Sequence, residues 1–178
     1  GAGKTTLILA TVERLPAGVR PGVIEGDLAS RIDADKIAAC GIPVAQINTG
    51  GNCHLDAPMI RSALPMLPLQ EIDLLFVENV GNLVCTANFA LGTHLSVVVA
   101  SAPEGADKAY KYPGMFAQAD AVVLNKADLL PVFDFDVDYW RRGIVMLNPG
   151  APTFLVSSRT GEGIDTWVAW LLERVTPS

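Results

Sequence analysis

Hydrophobic and polar positions alternate along this chain between a strand pattern and a helix pattern. Six short runs are apolar along nearly their whole length, and these runs predict strands. They are Gly22–Glu25, Val44–Asn48, Leu74–Glu78, Leu95–Ser101, Ala121–Asn125 and Thr153–Ser157. A strand without a polar face is buried on both sides, as in a parallel sheet that helices cover. The pattern therefore predicts a mostly parallel sheet.

Between these runs, apolar residues recur with the period of an α-helix. The predicted helices are Thr5–Leu15, Asp33–Cys40, Ala57–Leu64, a weaker segment near Met115, Val137–Leu147, and a closing helix with a stripe formed by Ile164, Trp167, Val168, Leu171 and Val175. Regular alternation of strand and helix predicts an α/β fold of three layers, in which helices cover both faces of the sheet. We find no internal repeat or linker, and we expect a single domain over residues 1–178.

Composition and charge exclude several classes of function. Half of the 178 residues are hydrophobic, 18% are charged, and the formal net charge is −6. A nucleic-acid-binding protein needs a basic face, so we expect no nucleic-acid partner. No apolar run reaches the ~20 residues that span a bilayer, so we expect no membrane insertion. Three cysteines indicate reduced thiols in a cytoplasmic protein rather than a disulfide framework, and Cys40, at a helix end, is predicted to lie in the core.

The first residues look like the end of a phosphate-binding P-loop. The motif reads Gly1-Ala2-Gly3-Lys4-Thr5-Thr6. In such a loop, backbone N–H groups surround the phosphates, the lysine reaches the β- and γ-phosphates, and the first threonine binds magnesium. The first glycine of the usual motif would precede residue 1, so we expect an N-terminal truncation inside the P-loop. The alternative is a simple glycine turn at the start of a helix.

A second motif indicates that the nucleotide is guanine. Asn125-Lys126-Ala127-Asp128 follows an apolar strand and matches the N-K-x-D pattern. A carboxylate at Asp128 can accept hydrogen bonds from guanine N1–H and from the exocyclic amine, whereas adenine would leave it unpaired. Ser157-Ser158-Arg159 follows the next predicted strand, where backbone N–H groups can bind the guanine carbonyl. The sequence therefore predicts binding of GTP and GDP.

Acidic residues at other strand ends are candidates for magnesium binding and for positioning water. Glu78-Asn79-Val80-Gly81 lies where a GTPase carries D-x-x-G, so the Gly81 N–H is predicted to contact the γ-phosphate. Asp27 follows the first strand, and Asp33 begins a helix, where a helix cap is the equally plausible alternative. The predicted catalytic residues are Lys4, Asp33 and Glu78, and the predicted magnesium ligands are Thr5, Asp27 and Glu78.

A cysteine and a histidine, Cys53 and His54, lie next to each other just before a predicted helix that Asp56 caps. Thiolate and imidazole ligands suit zinc or nickel, and Cys85 is expected to approach from the loop that follows the Glu78 strand. Adjacent side chains in a loop diverge, so we expect a two-fold dimer to complete any metal site. The alternative is a capping histidine beside two buried thiols.

Several segments, taken together and in this order, resemble the hydrogenase nickel incorporation protein HypB family. They are VIEGDL, INTGGNCHLDA, DLLFVENVGNLVC, KYPGMF, LNKADLLP and SRTGEG. The resemblance implies a metal-binding GTPase that helps deliver nickel to [NiFe]-hydrogenase. It also implies that Cys53, His54 and Cys85 are metal ligands at a nucleotide-controlled dimer interface. UreG urease accessory GTPases fit less well, because they carry C-P-H. This chain also departs from many members at Gly51, Pro58, Ser62 and Ser158-Arg159.

The leading hypothesis is therefore a slow GTP-hydrolysing nickel metallochaperone that acts as a homodimer in the cytoplasm. Its expected cofactors are GTP or GDP, magnesium, and nickel or zinc. By resemblance, its expected partners are hydrogenase maturation proteins and the hydrogenase large subunit. The rival hypotheses are a metal-binding scaffold or store with a vestigial nucleotide site, a UreG-like urease accessory GTPase, and, more weakly, a P-loop kinase.

Overall fold

The computed structural model describes residues 2–27 and 30–175, which form two compact units. The first unit comprises Gly1–Arg14 and Thr93–Ser178, and the second comprises Leu15–Gly92. The strands are β1 (Pro21–Asp27), β2 (Val44–Asn48), β3 (Leu74–Glu78), β4 (Val97–Ser101), β5 (Ala121–Asn125) and β6 (Thr153–Leu155). The helices are α1 (Lys4–Glu13), α2 (Ile32–Ala39), α3 (Ala57–Ala63), α4 (Lys108–Lys111), α5 (Pro113–Gln118), α6 (Val137–Leu147) and α7 (Ile164–Val175). The single domain over residues 1–178 stays a prediction.

Each unit contains a three-stranded sheet, and every strand pairing in the described residues is parallel. The order is β2-β1-β3 in the second unit and β4-β5-β6 in the first. β5 is buried along its whole length, as expected for a central strand covered on both faces. The prediction of an α/β P-loop fold, with parallel strands and helices on both sides, is confirmed.

The predicted elements differ from the observed ones mainly at their ends. β4 begins at Val97 rather than Leu95, and β6, at the edge of its sheet, ends at Leu155. The weak helical segment near Met115 forms two short helices, α4 and α5. α5 begins at Pro113, which lacks an N–H and therefore cannot continue the preceding helix.

The core of each unit is apolar on the face that its helices cover. In the first unit, Phe116 of α5 and Trp140 and Ile144 of α6 pack on Val122 and Leu124 of β5. In the second unit, the buried cluster is Ile24, Ala45, Leu55, Ile60, Ala63 and Leu67. These packed faces hold the strands, so the residues at the carboxyl ends of the strands have fixed positions. Across residues 2–27 and 30–175, no helix has both the length and the apolar character needed to cross a membrane.

Two local predictions are wrong. α2 begins at Ile32 with Arg31 as its cap residue, so Asp33 lies in the first turn and does not cap the helix. Cys40 is exposed at the end of α2 rather than buried in the core. α2 is short, and its buried positions are Ala34 and Ile37, so its last residue turns toward solvent. In the first turn, the Asp33 carboxylate can still stabilise the N-terminus of α2 through the helix dipole, but it is not the cap.

Candidate nucleotide and metal sites

In the first unit, the end of the P-loop motif contacts the strand that carries the N-K-x-D motif. Gly3 adopts φ 78° immediately before α1, and a Cβ atom there would lie 2.8 Å from the Asn125 side-chain nitrogen. The Asn125 amide donates to the carbonyl oxygens of Ala2 at 3.2 Å and Gly3 at 3.3 Å. Only glycine fits this combination of positive φ and close approach. The two motifs that the sequence predicts as one nucleotide site therefore meet.

α1 places the hydroxyl groups of the P-loop motif in different environments. Thr5 is buried, whereas Thr6 is exposed and donates its hydroxyl to the Gly3 carbonyl at 2.8 Å. Lys4 is half-buried at the first position of the helix. Further along α1, the Thr11 hydroxyl accepts from the indole N–H of Trp167 at 3.0 Å, which fixes α1 against α7. The predicted contact at Gly1 lies outside the described residues.

The carboxyl ends of β5 and β6 hold the predicted base-binding side chains in one hydrogen-bond network. The fully buried Ser157 hydroxyl donates to Asp128 Oδ1 at 2.8 Å. Ser158 donates to Asn125 Oδ1 from its backbone N–H at 3.2 Å and from its hydroxyl at 3.0 Å. Lys126, which lies between Asn125 and Asp128 in the chain, adopts a left-handed conformation with φ 59°. The structure thus brings together Asn125, Lys126, Asp128, Ser157 and Ser158.

The orientation of Asp128 suits the recognition of two neighbouring donors. Oδ1 is fixed by Ser157, and Oδ2 lies 3.9 Å from the guanidinium of Arg159, whose side chain is 83% exposed. A carboxylate accepts through both oxygens, and guanine presents two adjacent N–H donors on its Watson–Crick edge. Adenine presents no such pair, so a held carboxylate discriminates between the bases. Chemically, the network is suited to bind guanine.

In the second unit, three carboxylates approach one another at the ends of β1 and β3. The side-chain oxygens of Glu25, Asp33 and Glu78 all lie within 4.8 Å of one another. Glu25 and Glu78 are buried and face each other in the register of the parallel pair β1–β3. Oxygen ligands of this kind fit magnesium, which prefers carboxylates and water. The predicted pair Asp33 and Glu78 is therefore brought together.

Glu25 is the member of this group that sequence reasoning missed. It lies two residues before Asp27, so the period of a strand places both on one face of β1. That spacing was the available signal, but a buried glutamate inside an apolar strand looks like an ordinary strand residue. Asp27 itself ends β1, and its Oδ1 accepts from the Ser30 N–H at 3.3 Å. Gly81 is exposed, three residues beyond the end of β3.

The three predicted metal ligands also lie together in the second unit. Cys53 and Cys85 form a disulfide with their Cα atoms 6.1 Å apart, and His54 Nδ1 lies 4.0 Å from Cys53 Sγ. The prediction that all three cysteines are reduced thiols is therefore wrong for this pair. The approach of Cys85 to Cys53 was expected, because the carboxyl ends of neighbouring parallel strands meet at one edge of the sheet.

The distance between the Cys53 sulfur and the His54 nitrogen bears on the expectation that these adjacent side chains diverge. Zinc bonds of ~2.3 Å to sulfur and ~2.1 Å to nitrogen put the two ligand atoms about 3.6 Å apart at a tetrahedral angle. The observed 4.0 Å between Cys53 Sγ and His54 Nδ1 is close to that value. The tips of these adjacent side chains therefore lie near each other rather than diverging, and a site completed by a dimer stays a prediction.

The segment that carries Cys85 folds around an asparagine. Asn82 Oδ1 accepts from the N–H groups of Val84 at 2.8 Å and Cys85 at 2.9 Å, and the Thr86 hydroxyl donates to the Asn82 carbonyl. These bonds begin the short 3₁₀ helix Cys85–Asn88. An asparagine that bonds to backbone two and three residues ahead is typical of such turns. Asn82 thus fixes where Cys85 lies.

The segment that carries Cys53 and His54 is fixed through the next residue, Leu55. The Leu55 N–H donates to Asn79 Oδ1 at 3.0 Å, and the same oxygen accepts from the Val80 N–H at 2.8 Å. The Leu55 side chain is fully buried over Gly26 of β1, where a Cβ atom would lie 2.8 Å from it. Asn79 therefore connects the segment beyond β3 to the Cys53–His54 segment. Sequence reasoning missed this contact because it depends on an amide that spans 24 residues.

Comparison with known proteins identifies the class. The family model for the CobW/HypB/UreG nucleotide-binding domain matches residues 1–154. This range covers the P-loop motif, the carboxylate group, the Cys53–Cys85 pair and the N-K-x-D motif. The chain is thus a nucleotide-binding domain of the CobW/HypB/UreG family.

Similar proteins narrow the family further. The chain is 50% identical over 171 residues to the hydrogenase maturation factor HypB of Escherichia coli K12, which covers 96% of this chain and 59% of that protein. It is 42% identical over 180 residues to the hydrogenase/urease maturation factor HypB of Helicobacter pylori J99, which covers 98% of this chain and 73% of that protein. Within this wider family, the chain belongs to the HypB family.

Solved structures agree with this placement. The crystal structure of HypB from Helicobacter pylori in complex with nickel has a TM-score of 0.93 and 40% identity, and it covers all of this chain and 86% of that one. The structure of HypB from Archaeoglobus fulgidus has a TM-score of 0.90 and 38% identity, and it covers 99% of this chain and 86% of that one. The chain spans about 59% of the length of the Escherichia coli relative.

Proposed function

We propose that this chain binds and slowly hydrolyses GTP, and that its nucleotide state controls the binding of nickel, or zinc, for hydrogenase maturation. The observation that carries the proposal is that Cys53, His54 and Cys85 lie together. Asn79 connects the segment with Cys53 and His54 to the end of β3. Soft thiolate and imidazole ligands suit both metals. The HypB relatives support the assignment to hydrogenase maturation.

The proposed nucleotide contacts follow the sequence motifs. Lys4 would bind the β- and γ-phosphates beside the backbone of Gly1–Gly3, with Thr5 and Thr6 at the start of α1. Asn125, Lys126 and Asp128 would bind guanine, with Ser157, Ser158 and Arg159 beside them. The hydrogen-bond network around Asn125 and Asp128 supports this assignment, because its polar atoms are already held for a base.

Magnesium is proposed as the companion of the nucleotide. Glu25, Asp33 and Glu78 supply oxygen donors that fit this ion. Bound magnesium neutralises charge on the phosphates. The ligand set Thr5, Asp27 and Glu78 stays a prediction from sequence. Asp33 and Glu78 would orient the attacking water. Within residues 2–27 and 30–175, we identify no strong base placed to take that proton, so we expect slow hydrolysis that suits a switch.

Metal binding requires the Cys53–Cys85 pair in its reduced form, because the thiolate is the metal ligand. A thiol reductant adds two electrons and two protons to the pair, breaks the S–S bond and itself becomes a disulfide. We therefore propose a cytoplasmic protein, where thiols are kept reduced. A homodimer and a hydrogenase large subunit as recipient complete the proposal.

Calorimetric titration of the reduced protein with nickel and with zinc tests this function. Titrations with a GTP analogue and with GDP should give different metal affinities, because Asn79 links the metal segment to the Val80–Gly81 segment that we predict senses the γ-phosphate. Cys53→Ser and Cys85→Ser should each lower metal affinity about 100-fold or more, as loss of one of few ligands does. Metal should also increase the dimeric fraction.

Cys40→Ser is the matched control, because Cys40 is exposed and lies at the end of α2. It should leave metal affinity unchanged. Stoichiometric metal binding that survives loss of both Cys53 and Cys85 would overturn the site. Equal metal affinities in the two nucleotide states would leave a metal-binding GTPase without a switch.

A further inference from the structure

We infer that Phe89 is a positioning residue for metal binding, because its ring holds the imidazole of His54 beside the cysteine pair. The inference rests on the proposed function, since it assigns a role within the same metal site. The two rings are stacked face to face, with centroids 3.7 Å apart and an angle of 5° between their planes. Phe89 is the first residue beyond the 3₁₀ helix Cys85–Asn88.

The stack fixes the plane of the imidazole, and the contact with Cys53 shows which edge of the ring faces the cysteine pair. A ring held flat against another ring keeps its plane, so rotation about χ1 is suppressed. In this plane, His54 Nδ1 lies 4.0 Å from Cys53 Sγ, close to the spacing of two ligands on one ion. A histidine without this contact would sample several rotamers, and ordering it would oppose metal binding. The structure therefore assigns Nδ1 as the metal-facing nitrogen of His54.

The stack also matters when the disulfide is reduced. Cys53 pairs with Cys85 and His54 pairs with Phe89, so two neighbouring residues on one segment contact both ends of one 3₁₀ helix. Reduction removes the covalent connection but leaves the aromatic contact. Phe89 therefore keeps the Cys85 segment beside Cys53 and His54 in the thiol form, which is the form that binds metal.

The exposure of Phe89 argues against a role confined to core packing. Its side chain is 41% exposed, so it buries less apolar surface than a core phenylalanine such as Phe116, which is fully buried. A partly exposed phenylalanine contributes little through burial, and its stacking contact with the imidazole is the feature that needs explanation. An aliphatic residue of similar size would bury comparable area without offering a flat face.

The first experiment measures the stack directly in the reduced, metal-free protein. The chain has only two histidines, and His94 is exposed, so the imidazole NMR signals of His54 can be assigned against an internal reference. A ring stacked on Phe89 should shift the His54 carbon-bound protons upfield. Phe89→Leu should abolish this shift, and Phe89→Tyr should retain it. Unshifted His54 signals in the wild-type chain would overturn the proposed contact.

The second experiment titrates the same proteins with Zn²⁺. Phe89→Leu should weaken zinc affinity about 5- to 10-fold, as expected for loss of an aromatic contact and of a pre-ordered side chain. Phe89→Tyr should restore the wild-type value. Phe133→Leu is the matched control, because Phe133 is also 41% exposed but lies in the first unit. It should change neither zinc affinity nor the His54 signals.

Folding and function are distinguished by the remaining measurements. Each variant is compared by thermal unfolding and by GDP affinity, neither of which should change. In wild-type protein bound to zinc, the ¹⁵N spectrum of His54 should show the metal on Nδ1 and the proton on Nε2, and the reverse arrangement would overturn the assignment of the nitrogen. Equal zinc affinity in wild type and Phe89→Leu would overturn the role of Phe89, whereas no zinc binding by wild type would overturn the proposed function itself.

Discussion

The base-binding network of the first unit and the metal segment of the second unit are held together by different kinds of interaction. In the first unit, Asn125 and Asp128 are held by hydrogen bonds from Ser157 and Ser158, which are set in place by β6 and the loop after it. In the second unit, Cys53 and His54 contact Cys85 and Phe89, so the functional groups hold one another. The base-binding residues are thus joined by hydrogen bonds, whereas the metal segment is joined by a disulfide and a ring stack, with Asn79 and Asn82 fixing the backbone around it.

This difference matches what each site is proposed to do. A carboxylate held in place distinguishes guanine from adenine because a mismatched base leaves polar groups unpaired. The proposed metal ligands instead belong to two short segments, one with Cys53 and His54 and one that begins with Cys85, which a disulfide and a ring stack join. Substitutions in one region therefore test whether the binding properties of the other region change.

The largest expected effect comes from exchanging the carboxylate of Asp128 for an amide. Asp128→Asn replaces an acceptor with a donor, so GDP affinity should fall by roughly 10³-fold or more while xanthine nucleotide becomes the preferred ligand. Competitive nucleotide titration measures this change. Asp134→Asn, at an exposed position of the same unit, should have no effect. Metal affinity should stay unchanged in both variants. Equal binding of ATP and GTP by the wild type would contradict the assignment of Asp128 to guanine recognition.

The next effect concerns phosphate chemistry. Lys4→Ala removes the cation predicted at the β- and γ-phosphates, so hydrolysis should fall about 10²- to 10³-fold, as when one electrostatic contact to a transition state is removed. Phosphate release measures the rate. Lys108→Ala, in α4 of the same unit, is the control and should keep wild-type turnover. The reduced Lys4→Ala protein should still bind metal, and unchanged hydrolysis in this variant would place the activity elsewhere.

A smaller effect is expected at Asn79, which connects the segment beyond β3 to the Cys53–His54 segment. Asn79→Ala removes the acceptor that the N–H groups of Leu55 and Val80 share. We expect the ratio of metal affinities between the GTP-analogue and GDP states to move toward one by about 5-fold, the lower end of allosteric coupling. Calorimetric titration in both states measures it. Asn88→Ala, an exposed asparagine of the Cys85 segment, should leave the ratio intact; an equal loss there would exclude a specific role for Asn79.

The smallest effect compares exposed ion pairs of the two units. A hydrogen bond from Arg20 lowers the pKa of Asp73 in the second unit, and one from Lys111 lowers the pKa of Asp107 in the first. A carboxylate with a lowered pKa stabilises the fold above its unfolded-state pKa of about 4, and this contribution is lost as the pH falls through the lower folded value.

Asp73→Asn and Asp107→Asn should therefore lower the melting temperature slightly at pH 7, and the difference from wild type should vanish in strong acid. Both pairs are exposed, so high salt should also reduce the difference. Thermal unfolding in low and high salt measures it. A difference that grows as the pH falls below 4 would contradict the direction of the pKa shifts.

Much of the fold could be predicted because its signals are local. Runs of apolar residues gave the six strands, and Asp56 caps α3 through the Met59 N–H as its position indicates. The motifs were visible for the same reason, since Lys4 and Asp128 lie within short patterns whose chemistry is known. Asp33 shows the limit of such patterns, because the residue before a helix and the residues of its first turn favour the same side chains.

The sequence by itself determined the parallel α/β fold and the nucleotide motifs, and it supplied the candidate metal ligands, because each depends on neighbouring residues in the chain. The tertiary structure alone decided which side chains meet. Glu25 meets Glu78 through strand register while α2 brings Asp33 near both, Asn79 reaches Leu55, and Phe89 stacks on His54. Contacts of this kind join residues that packing brings together from distant parts of the chain. A local sequence pattern does not specify which residues from distant parts of the chain come into contact, so these contacts are visible only in the folded structure.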